Sequence, residues 1–328
     1  MLTVGVLLVA ASAYARRYVS PELALVGVFD GVLLGVVGAI GFVHLSSVET
    51  LAASQPPIGR AWYGPPTLGV GLATLVGSLA VGRWRWPERP RYAGLGMVLG
   101  LWVAYPVLVP SPLTNPLGSL LAVATPVAVG YVVWTDASDL LSDVLADRAA
   151  KWFGAGIGFA ASLLFGFSMG MVTFSPDPGG ANLTEDFVTT ARVADPLVYW
   201  PAVEFHLHDA IGTTPVSGVL SVGTVLLVGL LAALVGLNAA LFAARWRATP
   251  TDGRAGTAAG SAAIAAPTAL CFCGPAIAGL VAASMVPEVA APVYWLFADL
   301  ASPVGALFFA TSVALLTGNL VRASMKGV

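Results

Sequence analysis

Cys271, Phe272, Cys273, Gly274 and Pro275 bring together, within one apolar stretch of this 328-residue chain, two thiols and a Gly-Pro pair, with Pro267 one helical turn earlier. Pro275 cannot donate a hydrogen bond to the carbonyl of Cys271, and Pro267 likewise frees the carbonyl of Ala263, so a helix through this run is expected to kink or break. In a regular helix, residues two apart point about 200° away from each other and cannot chelate one ion. Unwinding at Gly274 and Pro275 removes that bar, and broken helices near the bilayer midplane are where many transporters bind their substrate. Paired thiolates favour soft ions such as Cu(I), Hg(II) or Zn(II). The same residues suit two other uses. Cysteine is also a small apolar packing residue beside a simple kink, and two thiols can act as a redox couple.

Glu204, His206, His208 and Asp209 form a second cluster. Glu204 and His208 share a face on a helix, whereas His206 and His208 share one on an extended strand. Either arrangement supplies two ligands for zinc or copper, with a third from Asp209 or Asp195. Contact with water and headgroups accounts for the same side chains without any ion. Asp30 and His44 fall in one apolar run, 14 residues apart, and so near one helical face but about 21 Å apart along it. An ionisable group inside a membrane helix is a functional candidate by default. Asp30 and His44, with Gly274 and Pro275, are therefore the expected lining of a polar substrate pathway. A hydroxyl or amide of a neighbouring helix would equally satisfy Asp30, and His44 and Asp299 lie near the expected outer interface. Met169 and Met171 suit a packed core.

The run Cys271, Cys273, Gly274, Pro275 and Ala276 resembles the first-helix signature of mercuric-ion transport membrane proteins, in which a cysteine pair precedes Gly-Pro and small apolar residues. The resemblance covers one helix and implies that Cys271 and Cys273 are the thiols that receive the ion. In that family the two cysteines are adjacent. A second, shorter likeness lies at Asp136, Asp139, Asp143 and Asp147, which recur at helical spacing opposite Leu140, Leu141, Val144 and Leu145. Such a stripe reads as the solvated side of an amphipathic helix. Asp139, Asp143 and Asp147 are similar to one aspartate motif of membrane prenyltransferases, which implies Mg²⁺. Those enzymes need a second carboxylate cluster, and isolated Glu22, Glu88 and Asp252 do not supply one. No Ser-His-Asp spacing, nucleotide loop or haem-attachment motif occurs, so outside the thiol redox option no enzyme is expected.

The elements that must position these residues are set by composition. Hydrophobic residues make up 57% of the chain and charged residues 10%, with mean hydropathy +0.85, which excludes an ordinary soluble domain. Apolar runs at 2–15, 23–45, 65–82, 92–110, 116–134, 152–174, 216–244, 260–285 and 292–320 predict an all-α polytopic bundle of about nine transmembrane helices, one domain over residues 1–328. Ala13-Tyr14-Ala15 has the form of a signal-peptidase site, but Arg16 and Arg17 follow the first apolar run instead of preceding it, so that helix is expected to be retained. Counting basic residues in alternate loops leaves only Arg60 and Arg192, of the chain's 15, on one side. The N-terminus is therefore expected outside and the C-terminus inside. Rows of glycine at Gly27, Gly31 and Gly35, at Gly96 and Gly100, and at Gly166 and Gly170 are expected to pack helices together.

Residues 175–215 form the one sizeable polar segment, expected outside as loop with a short helix over 185–194, capped by Thr184. Tyr199, Trp200, Pro201 and Phe205 suit the headgroup level, and Asn182-Leu183-Thr184 matches the glycosylation tripeptide. With a net charge of −2 and basic residues scattered between spans, no nucleic-acid partner is implied. The bilayer is the expected partner, with a protein docked at 175–215 as a further one. The function expected is transport or ion handling, for a soft metal such as Cu, Hg or Zn held by Cys271, Cys273, His206 and His208. A non-catalytic subunit or assembly factor of a membrane complex is the alternative, and a membrane thiol redox enzyme the third. A cell membrane of a prokaryote with a GC-rich genome suits the Ala, Val, Gly and Arg usage.

Overall fold

The computed structural model of the protein describes residues 1–45, 63–109, 111–168, 170–174, 185–194, 196–211, 214–248 and 302–325. Its helices are α1 (Leu2–Ala15), α2 (Pro21–Leu45), α3 (Gly64–Arg85), α4 (Pro90–Leu108), α5 (Pro116–Ala146), α6 (Arg148–Ser168), α7 (Val222–Ala248) and α8 (Pro303–Met325). Among the described residues seven of these, α2 to α8, are long and apolar enough to cross a membrane, while α1 is shorter. The expected span at 260–285 lies outside the described residues, as do Cys271, Cys273, Gly274, Pro275 and Asp299.

Local chemistry sets the starts. Helices α2, α4, α5 and α8 open on proline, whose missing N–H costs nothing in the first turn. Asn115 Oδ1 accepts from the Leu117 N–H at 3.0 Å, Asp147 Oδ1 from Ala149 at 3.0 Å and Ser302 Oγ from Gly305 at 2.9 Å, so α5, α6 and α8 each have a side chain satisfying an otherwise orphaned donor. Helix α5 runs on past the expected end of its span, and the amphipathic turn carrying Asp136, Asp139 and Asp143 is its continuation.

Small residues set the packing. A Cβ on Gly31 would lie 2.7 Å from Val9 and 2.9 Å from the Gly5 carbonyl, and one on Gly27 would collide with the Ser12 hydroxyl, so the expected row on α2 seats α1. Gly96 and Gly100 do the same for α3, against Ser78 and Leu75. The third row fails: Gly166 has no close neighbour and Gly170 lies beyond α6 at φ +70, a left-handed turn that glycine adopts without strain. The α6–α7 contact is made instead by Gly154, Gly158 and Gly236. Between α7 and α8, buried Asn238 donates to the carbonyls of Leu234 (2.7 Å) and Leu316 (3.2 Å) and accepts from Asn319 Nδ2 (2.7 Å), which satisfies the pair inside an apolar bundle.

Among the described residues, every basic residue except Arg192 of the sheet gathers at one end. There Arg16 donates to the Trp246 carbonyl and stacks on its ring at 4.5 Å. Arg247 bonds Asp147 and, at 3.0 Å, Glu22, and Arg91 holds both oxygens of Asp136. Arg89 reaches Met325 Sδ at 3.3 Å. These contacts join the C-terminal ends of α1, α5, α7 and α8 to the N-terminal ends of α2, α4 and α6. Helices α7 and α8 therefore run in the same direction.

The other end carries a feature the hydropathy pattern does not predict. Strands β1 (Val172–Thr173), β2 (Phe187–Val193), β3 (Trp200–Ile211) and β4 (Thr214–Ser221) form an antiparallel sheet in the order β1-β4-β3-β2. The expected helix over 185–194 is a strand instead, paired from Phe187 opposite His206 to Val193 opposite Trp200. Val188, Thr189, Thr190 and Val193 are β-branched, and the antiparallel partner strand Trp200–Ile211 close downstream lets that preference win over a marginal isolated helix. The spans expected at 152–174 and 216–244 likewise yield their sheet-side ends to β1 and β4. Trp200 is buried, its Nε1 donating to the Pro196 carbonyl at 2.9 Å, and it closes over Gly223 at the start of α7. It is thus a packing residue of the sheet–helix junction and not a headgroup anchor.

Candidate functional site

The alternation of β3 puts Trp200, Ala202, Glu204, His206 and His208 on one face of the sheet. His206 sits at its centre, opposite Phe187 on β2 and Ser217 on β4. Its side chain is 0% exposed. Nδ1 and Ser217 Oγ are hydrogen-bonded at 2.7 Å, and the ring stacks on Phe187 at 5.9 Å with an interplanar angle of 19°. Nε2 is buried and has no hydrogen-bond partner among the described residues. A histidine that donates Nδ1–H to the serine oxygen presents at Nε2 a lone pair with no donor opposite it, the electronic state of a metal-ligating imidazole held by an outer hydrogen bond.

His208 follows two residues on, its ring 6.4 Å from that of His206. It is exposed, and its backbone N–H donates to Asp186 Oδ1 at 2.7 Å. Glu204 is half-buried on the same face and Asp209 is exposed. The two imidazoles expected to act together are therefore neighbours. Among the described residues, no third His, Cys, Asp or Glu joins them in a group that could hold a metal ion; Asp195, one of the expected third ligands, lies outside those residues. Beneath the junction of sheet and bundle, Trp102, Thr125, Pro196, Gly223 and Phe309 surround a space of only 10 Å³. That space is too small to hold a hydrated ion.

The remaining expected site residues are dispersed. Asp30 is exposed on the outer side of α2, away from the core of the described bundle, and His44 lies in the last turn of the same helix. Met171 is buried beside β1, and Met169 and Asn182 lie outside the described residues. The carboxylate stripe is not an open magnesium site, because Asp136 is taken by Arg91 and Asp147 by Arg247, leaving exposed Asp139 and Asp143. Sequence reasoning missed Ser217, Phe187 and Asp186. Nothing in their local sequence marks them, since each meets a histidine only through strand register. No family model, no curated protein and no solved structure matches the chain, so the site is read from its own geometry.

Proposed function

We propose that this protein handles a soft or borderline metal ion in a cell membrane, taking the ion at the sheet through His206 and His208. The observation that carries this reading is the fully buried His206, whose Nδ1 is fixed by Ser217 while Nε2 is left without a partner. A buried polar atom with no partner is costly, and a bound cation removes that cost. Cu(I) and Zn(II) accept imidazole nitrogen, and Cys271 and Cys273, outside the described residues, are the onward ligands in this scheme.

The purified protein is expected to bind Cu(I) or Zn(II), and His206→Ala to abolish this. Ser217→Ala should weaken binding about 10- to 100-fold, the usual cost of losing an outer hydrogen bond to a metal-ligating histidine. Equal binding by wild type and His206→Ala in equilibrium dialysis with metal analysis would remove the basis of the reading. A second reading, a subunit of a membrane complex, is favoured by the opposite face of the sheet. That face exposes Val188 (69%), Val203 (45%), Leu207 (39%) and Leu220 (41%). A partner that co-purifies with wild type and is lost with Val188→Asp, while metal binding is unchanged, would favour it.

In either reading the basic end faces the cytoplasm, by the positive-inside rule. The parallel course of α7 and α8 supports one further crossing between them, and hence nine in all. Cysteines introduced at Thr189 and Arg85 in a background without native thiols test this: an impermeant maleimide applied to intact cells should label the first and not the second. The reverse result would invert the topology.

A further inference from the structure

Away from the sheet, at the basic end, the closely packed pair α3 and α4 carries an open surface groove of 370 Å³ lined by Ala73, Gly77, Ser78, Val81, Trp86 and Tyr92. Its walls are mainly apolar, and the ring of Trp86 meets that of Tyr92 edge-on at 5.6 Å at the groove's end. Thr74, which also lines it, turns its hydroxyl back to the Val70 carbonyl at 2.8 Å. Helical spacing carries the same face of α3 from Ser78 through Val81 to Arg85. Arg83 and Arg85 are exposed in the last turn, and neither has an ion-pair partner among the described residues. Trp84 between them is 84% exposed, a placement suited to the headgroup level of a bilayer.

We propose that this groove is a binding site for an anionic phospholipid, with an acyl chain lying along Gly77, Ser78 and Val81 and the phosphate at Arg85, while Arg83, on the other side of the helix, adds positive charge to the same end. The length of α3 from Ala73 to Arg85 spans about 18 Å, enough for most of an acyl chain. The charge at the mouth selects the headgroup. The nearby Arg89 and Arg91 are already engaged, by Tyr92 and Asp136, so the two arginines of α3 carry the selectivity.

The site is tested on the intact protein, by native mass spectrometry of lipids retained after exchange into detergent containing phosphatidylglycerol and phosphatidylcholine in equal amounts. Wild type is expected to retain phosphatidylglycerol preferentially. Arg85→Gln should reduce that preference about fivefold, the effect of one basic side chain near an anionic surface. Gly77→Leu should remove the retained lipid of both kinds. A Cβ at Gly77 meets nothing within 4 Å, so this variant fills the groove without straining the helix pair, and an unchanged melting temperature verifies that. Equal retention of the two lipids by wild type, or retention unaffected by Gly77→Leu, would overturn the proposal. So would inorganic phosphate at millimolar concentration displacing the lipid completely, which would show that the arginines recognise phosphate alone and the groove adds nothing.

Discussion

Replacing Asp136 by Ala is expected to destabilise the folded bundle by about 3 kcal/mol, read as a lower unfolding midpoint in detergent. Asp136 keeps 6% of its side-chain surface exposed and Arg91 21%, so the pair sits largely out of solvent where α4 begins beside the end of α5. Both Asp136 oxygens accept from Arg91, through Nε at 2.5 Å and through Nη2. Removing the acid strands a guanidinium whose hydration cannot be fully restored, and this, more than the lost attraction, makes breaking such pairs costly. Replacing both partners by apolar residues of similar volume, Asp136→Leu with Arg91→Met, should recover most of the loss. Wild-type stability in Asp136→Ala would show that the pair contributes nothing. A double variant no better than the single one would show that the contact acts by some route other than a stranded charge.

Gly154→Leu is expected to cost at least as much, and for the opposite reason. A Cβ on residue 154 would lie 2.6 Å from the Gly236 carbonyl oxygen and 2.7 Å from Ala240 Cβ, and a Cβ on Gly236 would meet the Gly154 carbonyl at 2.8 Å. The obstacles are backbone on both sides, so no side chain can swing away and the helices must separate. Overpacking a well-packed contact costs about 1–3 kcal/mol, and a leucine at a backbone-to-backbone crossing belongs at or above the top of that range. Gly229→Leu on the same helix α7 is the internal control. Nothing lies within 4 Å of its Cβ and the position is exposed, so the better helix former should leave the midpoint unchanged or raise it. If both variants unfold alike, close approach of α6 and α7 is not what holds them together.

The glycine rows show why the helical part of the fold was legible and part of its packing was not. Gly27, Gly31 and Gly35 recur at the period of a helix face, so their joint role could be read before knowing what lay opposite. Gly154 and Gly236 stand far apart in sequence and are recognisable as a pair only once α6 and α7 are antiparallel neighbours. The same distinction separates Asp136 from Asp139. Their spacing says that they share a face, but which of them an arginine neutralises depends on where the start of α4 falls.

The polar segment illustrates the harder case. A membrane helix satisfies every backbone hydrogen bond within itself, so roughly 20 apolar residues announce it without reference to the rest of the chain. A strand satisfies its backbone only through a neighbour. Phe187–Val193 and Trp200–Ile211 carry a strand's residue types, yet they become strands through each other and through Thr214–Ser221. For that reason the segment over 185–194 read as a capped helix, and the spans at 152–174 and 216–244 were read through into what are strands β1 and β4, while the apolar cores of the described spans are helices.

By itself the sequence determined a membrane-embedded helical bundle, the placement of most spans and the separation of basic residues to one end, because hydropathy and charge act on each segment against a common solvent, the bilayer. It also marked His206 and His208 as a pair that extended backbone would bring to one face. Only the tertiary structure decided that the backbone there is extended, that His206 is sealed between Phe187 and Ser217 with one nitrogen left over, and that Asp30 points away from the bundle core. Those outcomes depend on strand register and on which helix faces meet, and such long-range pairings leave no periodic mark on the residues that make them.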